Sequence, residues 1–140
     1  MRKIMLLMIM LSGMVMAKDM YIGLAGSMSD ADEYDTECRA SGVLIAGVKI
    51  FENDKFKVDA EGRLHVGLGG DYNVQEVFIK PEYNSFYALI GAGTSNIGDE
   101  TFTGVRGGVG YQLPKNIFID VVYREPEDSF VTTLGFRYRF

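Results

Sequence analysis

The sequence predicts an all-β fold, eight antiparallel strands closed into an up-and-down transmembrane β-barrel, preceded by a signal peptide. Three observations carry this expectation. Arg2 and Lys3 precede an apolar run from Ile4 to Met16, interrupted only by Ser12 and Gly13 and ending in Val15-Met16-Ala17, which is the layout of a secretory signal with its processing site. After Lys18, apolar residues recur with period two and never with helical spacing over two turns. Several of these stretches run for the roughly 9 to 11 residues that a tilted strand needs to cross a hydrocarbon layer, whereas ordinary strands are about 5 or 6.

With 140 residues, 17 glycines and three prolines, the chain has room for one core and not for two. Residues 1–17 are assigned to the signal peptide and 18–140 to the barrel. The apolar run is shorter than the ~20 residues of a membrane-spanning helix, so cleavage after Ala17 is expected. No cysteine sits at the cut, which argues against lipoprotein processing. Losing Arg2 and Lys3 lowers the formal charge from −5 by two, to −7, which argues against nucleic acid as a partner because phosphate contacts need a basic face. The single cysteine, Cys38, has no intrachain partner and reads as a free thiol in a loop.

Candidate strands fall at about 19–28, 42–51, 56–68, 74–83, 86–94, 102–113, 117–124 and 129–140. The third is the clearest: Phe56, Val58, Ala60, Gly62, Leu64, Val66 and Leu68 share one face, and Lys57, Asp59, Glu61, Arg63 and His65 the other. The fourth sets Val77, Ile79, Pro81 and Tyr83 against Glu76, Lys80 and Glu82. The sixth sets Val105, Val109, Tyr111 and Leu113 against Arg106, and the seventh sets Ile117, Ile119, Val121 and Tyr123 against Asp120 and Arg124. In the last, Phe130, Thr132, Leu134, Phe136, Tyr138 and Phe140 oppose Val131, Thr133, Gly135, Arg137 and Arg139. The second and fifth are apolar on both faces, at Val43-Leu44-Ile45 and Ala88-Leu89-Ile90. Connections alternate between tight turns (52–55, 84–85, 114–116) and longer loops (29–41, 69–73, 95–101, 125–128), as in barrels whose short turns face the periplasm.

Period two alone leaves two assignments open. Apolar side chains facing lipid give a transmembrane barrel. Apolar side chains facing inward give a secreted, soluble, lipocalin-like barrel binding an apolar ligand. The ending Phe136-Arg137-Tyr138-Arg139-Phe140, with aromatics at alternate positions up to the last residue, favours lipid outside, as an interfacial girdle. Cost agrees, since Lys57 and Arg63 on a lipid face would each be penalised by roughly 2–4 kcal/mol near the midplane.

The chain resembles the outer-membrane β-barrel family that includes the membrane domain of outer-membrane protein A and its small, porin-family-like relatives. The resemblance spans the mature chain and is carried by the signal peptide, Tyr21-Ile22-Gly23-Leu24, Tyr87 to Gly93, Gly107-Gly108-Val109-Gly110-Tyr111, Asp120 to Arg124, and Leu134 to Phe140. It implies an outer-membrane location, lipid as partner, both termini in the periplasm, and recognition of Phe136, Tyr138 and Phe140 by the outer-membrane assembly machinery. With no peptidoglycan-binding segment expected after Phe140, anchoring to the cell wall is not implied, and a monomer is expected.

With lipid outside, the lumen receives Lys57, Asp59, Glu61, Arg63, Glu76, Lys80, Glu82, Arg106, Asp120, Arg124, Arg137 and Arg139. At this density opposite charges should pair into a hydrogen-bonded plug, because unpaired ions in a narrow interior cost several kcal/mol each. The sharper alternative is a narrow gate, in which Arg or Lys exchanges partners such as Glu61 or Glu82. Eight strands are too few for an open diffusion channel. No enzymatic role is expected, because the lone His65 has no recognisable catalytic motif around it. No cofactor or metal is expected: the acidic first loop (Asp30, Asp32, Glu33, Asp35, Glu37) lacks the glycine and closing glutamate of a Ca²⁺ loop, and Gly107 to Gly110 lacks the Lys-Ser/Thr pair and helix of a phosphate loop.

Overall fold

In a computed structural model, eight antiparallel strands each pair with their sequence neighbours, and β8 pairs with β1 to close the barrel. The structure describes residues 3–5, 20–29, 39–67, 72–97, 100–125 and 129–139. The strands are β1 (Met20–Ser29), β2 (Arg39–Glu52), β3 (Phe56–Gly67), β4 (Tyr72–Tyr83), β5 (Phe86–Ile97), β6 (Glu100–Gln112), β7 (Ile117–Arg124) and β8 (Ser129–Arg139). The processing site, Cys38, the acidic residues between 30 and 37, and Phe140 lie outside the described residues.

The three short connections follow from their side chains. Asn84 and Ser85 both have positive φ (48° and 73°), the geometry of a two-residue hairpin whose twist matches its strands. Lys115 and Asn116 repeat it at 65° and 64°. At the β2–β3 turn, the Asn53 side-chain oxygen accepts from the backbone N–H of Lys55 and Phe56 (3.0 and 2.8 Å), pinning the reversal in the manner of an Asx turn. These turns share one rim with the ends of β1 and β8, and the longer connections share the other.

Register sets the shape. Paired residues lead round the wall from Met20 through Val48, Ala60, Ile79, Ile90, Gly107 and Tyr123 to Phe130, whose neighbour Val131 pairs with Ser29. One circuit therefore returns to β1 level with position 30, a stagger of 30 − 20 = 10 residues. With eight strands this tilts each by about 40°, so one residue along a strand climbs about 2.5 Å of axis and one step along the ladder about 3 Å.

The two faces separate as sharply as their sequence. Ile22, Leu24, Leu44, Val77, Ile90, Val105, Val109, Leu134 and Phe136 point outward and are exposed, Val109 by 68%. Asp59, Glu61, Arg63, Lys80, Arg106, Asp120 and Arg124 point inward and are buried, Arg106 completely. The soluble barrel with an oily interior is therefore excluded. From Phe56 at the turn rim to Phe130 at the loop rim, the outward apolar belt is about 25 Å tall on the scale above, the height of a lipid-facing band. Val43, Ile45 and Leu89, which the sequence left unassigned, are buried inward, while Leu44 and Ile90 face out.

Five strands extend farther toward the loop rim than alternation predicts. Ser29, Arg39 to Ser41, Tyr72 and Asn73, Ser95 to Ile97, and Glu100 and Thr101 belong to strands rather than loops. Their outward residues are mostly small or polar, so the apolar signal stops before the pairing does.

Candidate functional site in the barrel lumen

Residues two apart on one strand enter the lumen together, so Glu61 with Arg63 on β3, Asp120 with Arg124 on β7, and Arg137 with Arg139 on β8 arrive as ready-made groups. Because β3 and β7 lie four strands apart in a ring of eight, Glu61 and Arg63 meet Asp120 from the opposite wall. Arg63 donates Nη1 and Nη2 to the two oxygens of Asp120 (2.9 and 2.6 Å) and Nε to Glu61 Oε1 (2.7 Å). Arg137 grips Glu61 through Nε and Nη2 (3.1 and 3.0 Å), and its Nη2 also lies 3.6 Å from Asp120 Oδ2. Two carboxylates and two guanidiniums thus close a charge-neutral ring across the barrel.

Two tyrosines complete the ring. Tyr21 donates to Glu61 Oε2 (2.5 Å) and Tyr87 to Asp120 Oδ2 (2.7 Å). Each ring lies over a cross-strand glycine: a Cβ on Gly47 would fall 2.1 Å from the Tyr21 ring, and one on Gly110 would fall 2.3 Å from that of Tyr87. Both glycines are the ladder partners of those tyrosines, so the absent side chain is what lets the aromatic lie along the wall. Cation–π contacts fill the rest: the Arg137 guanidinium sits 3.8 Å from the Phe118 ring centre, and Lys80 Nζ lies between Tyr87 and Tyr21 at 4.9 and 5.1 Å. Lys80 also joins the ring to the turn rim, reaching Asp59 at 3.4 Å and Glu61 and Glu82 at 3.9 Å. There Arg139 meets Asp59 (3.2 Å), and Lys57 meets Glu82 (3.2 Å) in a partly exposed pair.

A second cluster lies toward the loop rim around Glu76. Arg124 donates Nε and Nη2 to its two oxygens (3.1 and 3.2 Å), and Arg106 Nε approaches at 3.2 Å while its Nη groups bind Ser95 Oγ (2.9 Å) and the Glu125 carbonyl (2.6 Å). His65 places Nε2 2.8 Å from Glu76 Oε1, and its Nδ1 lies 3.2 Å from Ser27 Oγ and 3.4 Å from Ser41 Oγ, the two hydroxyls also bonding each other.

No family model matches the chain, and no curated protein is similar to it at a significant level. Solved structures are. The crystal structure of Ail, the attachment invasion locus protein of Yersinia pestis, in complex with the heparin analogue sucrose octasulfate, aligns with a TM-score of 0.56 at 21% identity, over 89% of this chain and 100% of that one. Ail in a phospholipid bilayer nanodisc aligns with a TM-score of 0.55 at 17% identity, over 88% and 99%. This chain has the fold of a small outer-membrane β-barrel.

All twelve charged residues that alternation assigns to the barrel lumen lie on its inner face, in two groups: nine of them, with the two tyrosines of the ring, run from Arg63 down to the turn rim, and Glu76, Arg106 and Arg124 stand above. Phe136 and Tyr138 face outward, as a girdle requires. Sequence reasoning missed the lumenal aromatics Tyr21, Phe78, Tyr87 and Phe118. Parity could have found them, because each sits out of phase with the outward residues of its own strand, Phe118 between Ile117 and Ile119 for instance. It also missed that His65 stands between hydroxyls and a carboxylate, an arrangement made by β1, β2, β3 and β4 together and invisible along any one of them.

Proposed function

We propose that the mature protein is an integral outer-membrane barrel with a structural or surface-interaction role, its loop rim outward, its termini periplasmic and its lumen shut. The ring of Glu61, Arg63, Asp120 and Arg137 carries this reading, because it joins opposite walls at mid-height and every carboxylate oxygen in it is bonded. Buried ions repay their desolvation only under such geometry, so parting them to admit water is costly. Planar-bilayer recording on the wild type, Glu61→Gln and Arg63→Gln tests it. Closed traces are expected from all three; a steady wild-type conductance contradicts the plug, and openings confined to the variants would show instead that the pairs hold a gate.

The heparin-analogue complex belongs to Ail and is not carried over, since the mature chain is acidic and its first loop holds five carboxylates within eight residues. No enzymatic role is proposed either. The Ser27–His65–Glu76 arrangement has the membership of an acyl-transfer site, but its hydroxyls and imidazole are almost fully buried and Glu76 is held by Arg124, so its role is to satisfy polar groups. Folding through the assembly machinery, with Phe136, Tyr138 and Phe140 as its signal, and a monomeric state belong to the same proposal.

A further inference from the structure

On one side of the barrel the outward face changes character near the loop rim. Above Val77, Ala92 and Val105, the outward positions of β4, β5 and β6 become Gln75 and Asn73, Thr94 and Asn96, and Thr103 and Thr101. The register sets them in two rows of three, Gln75 beside Thr94 beside Thr103, and Asn73 beside Asn96 beside Thr101. Their side chains bond along the rows: Asn96 Nδ2 donates to Asn73 Oδ1 (2.8 Å), Thr101 Oγ1 donates to Asn96 Oδ1 (2.9 Å), and the hydroxyls of Thr94 and Thr103 lie 3.2 Å apart. At the same rim β1, β3 and β8 instead carry large apolar side chains outward, at Met28, Val66 and Phe130, and β2 carries Gly42 and Ala40.

Strand tilt explains the asymmetry. Met28, Val66, Val105 and Phe130 all reach about 20–22 Å above Met20, with Gln75 at about 19 Å level with the top of that belt, whereas Asn73, Thr94, Thr103, Asn96 and Thr101 stand at about 22–31 Å. β4, β5 and β6 therefore pass through the top of the apolar belt and raise a neutral, hydrogen-bonding sheet into the headgroup layer. The ledge continues the belt, so a lipid whose acyl chain packs on Val77, Ala92 and Val105 brings its headgroup against the amides and hydroxyls above. Six uncharged residues suit neither a phosphate, which calls for Arg or Lys, nor a cation. Amides and hydroxyls that both donate and accept match a headgroup rich in hydroxyls.

We propose that this ledge docks the sugar headgroup of a glycolipid in the membrane leaflet at the loop rim. The proposal rests on the lipid-facing assignment of the belt. Its test is the side-chain amide NMR signals of Gln75, Asn73 and Asn96 in phosphatidylcholine nanodiscs, titrated with digalactosyl diacylglycerol, with phosphatidylglycerol, or with free digalactose. Shifts of the Asn73 and Asn96 amides that saturate with the galactolipid alone are expected, and the Asn96 shift should fall at least several-fold in Asn73→Ala/Thr101→Val. Equal shifts with both lipids, no shift with the galactolipid, an equal response to free digalactose, or an undiminished response in the variant overturns it. Contacts between acyl chains and the methyl groups of Ile90 and Val109, read in the same samples, keep failure of the ledge distinct from failure of the belt.

Discussion

Replacing Asp120 by Asn removes one negative charge from a ring that is otherwise neutral. Arg63 keeps an acceptor in the new carbonyl but loses one arm of its bidentate grip, and Tyr87 loses the oxygen that it now reaches at 2.7 Å. Hydrogen bonds to charged groups contribute about 1.5–3 kcal/mol each, and breaking a buried pair from one side costs about 3–5 kcal/mol; Asp120→Asn should therefore destabilise by about 3–4 kcal/mol. Arg63→Gln should cost a similar amount because it strands Asp120. The double variant leaves neither charge alone, so it should recover about 2–3 kcal/mol relative to the sum of the two singles. The chain has no tryptophan, so urea titration of the vesicle-folded protein is best followed by circular dichroism and by heat-modifiable gel migration. Additivity of the two variants within about 0.5 kcal/mol would refute the ring as a coupled unit.

Three further outcomes follow from the same geometry. Leu134→Arg places a cation near mid-belt and should cost about 2–4 kcal/mol in the same titration, while Thr103→Arg, above the belt, should change stability by less than about 1 kcal/mol. Gly47→Ala sets a methyl against the Tyr21 ring and should cost about 1–3 kcal/mol, and pairing it with Tyr21→Val should restore part of that loss; equal stability of Gly47→Ala and wild type would remove the close approach. An activated fluorophosphonate should leave Ser27 and Ser41 unlabelled in the folded barrel by mass spectrometry, and labelling lost in His65→Ala would reveal a nucleophile.

Most of the barrel was legible because its signal is local. Alternation in β3 and β8 assigns each side chain to a face by parity alone, and the turn residues Asn84 and Asn116 tolerate the left-handed backbone that tight hairpins require. β2 and β5 were not legible in this way. Val43, Ile45 and Leu89 are lumenal because Tyr21, Phe118 and Phe78 offer them apolar neighbours, and that surrounding exists only once the barrel closes. The lumen is consequently less purely ionic than a row of charged residues implies: aliphatic and aromatic side chains pack beside the ring, lowering the local polarity and so strengthening its ion pairs. The upper ends of β4, β5 and β6 were illegible for a different reason. Asn and Thr there resemble loop residues in sequence, yet they occupy paired strand positions.

The division between an acyl-facing outside and an ion-paired inside is tested most directly without any substitution. In nanodiscs containing a lipid spin-labelled near the end of its acyl chain, methyl NMR signals of Ile22, Leu24, Ile90 and Leu134 should be broadened, while those of Val43, Leu89 and Val131, equally apolar but inward, should stay sharp. Broadening of the inward set, or equal broadening of both, would contradict the structure's assignment of its two faces.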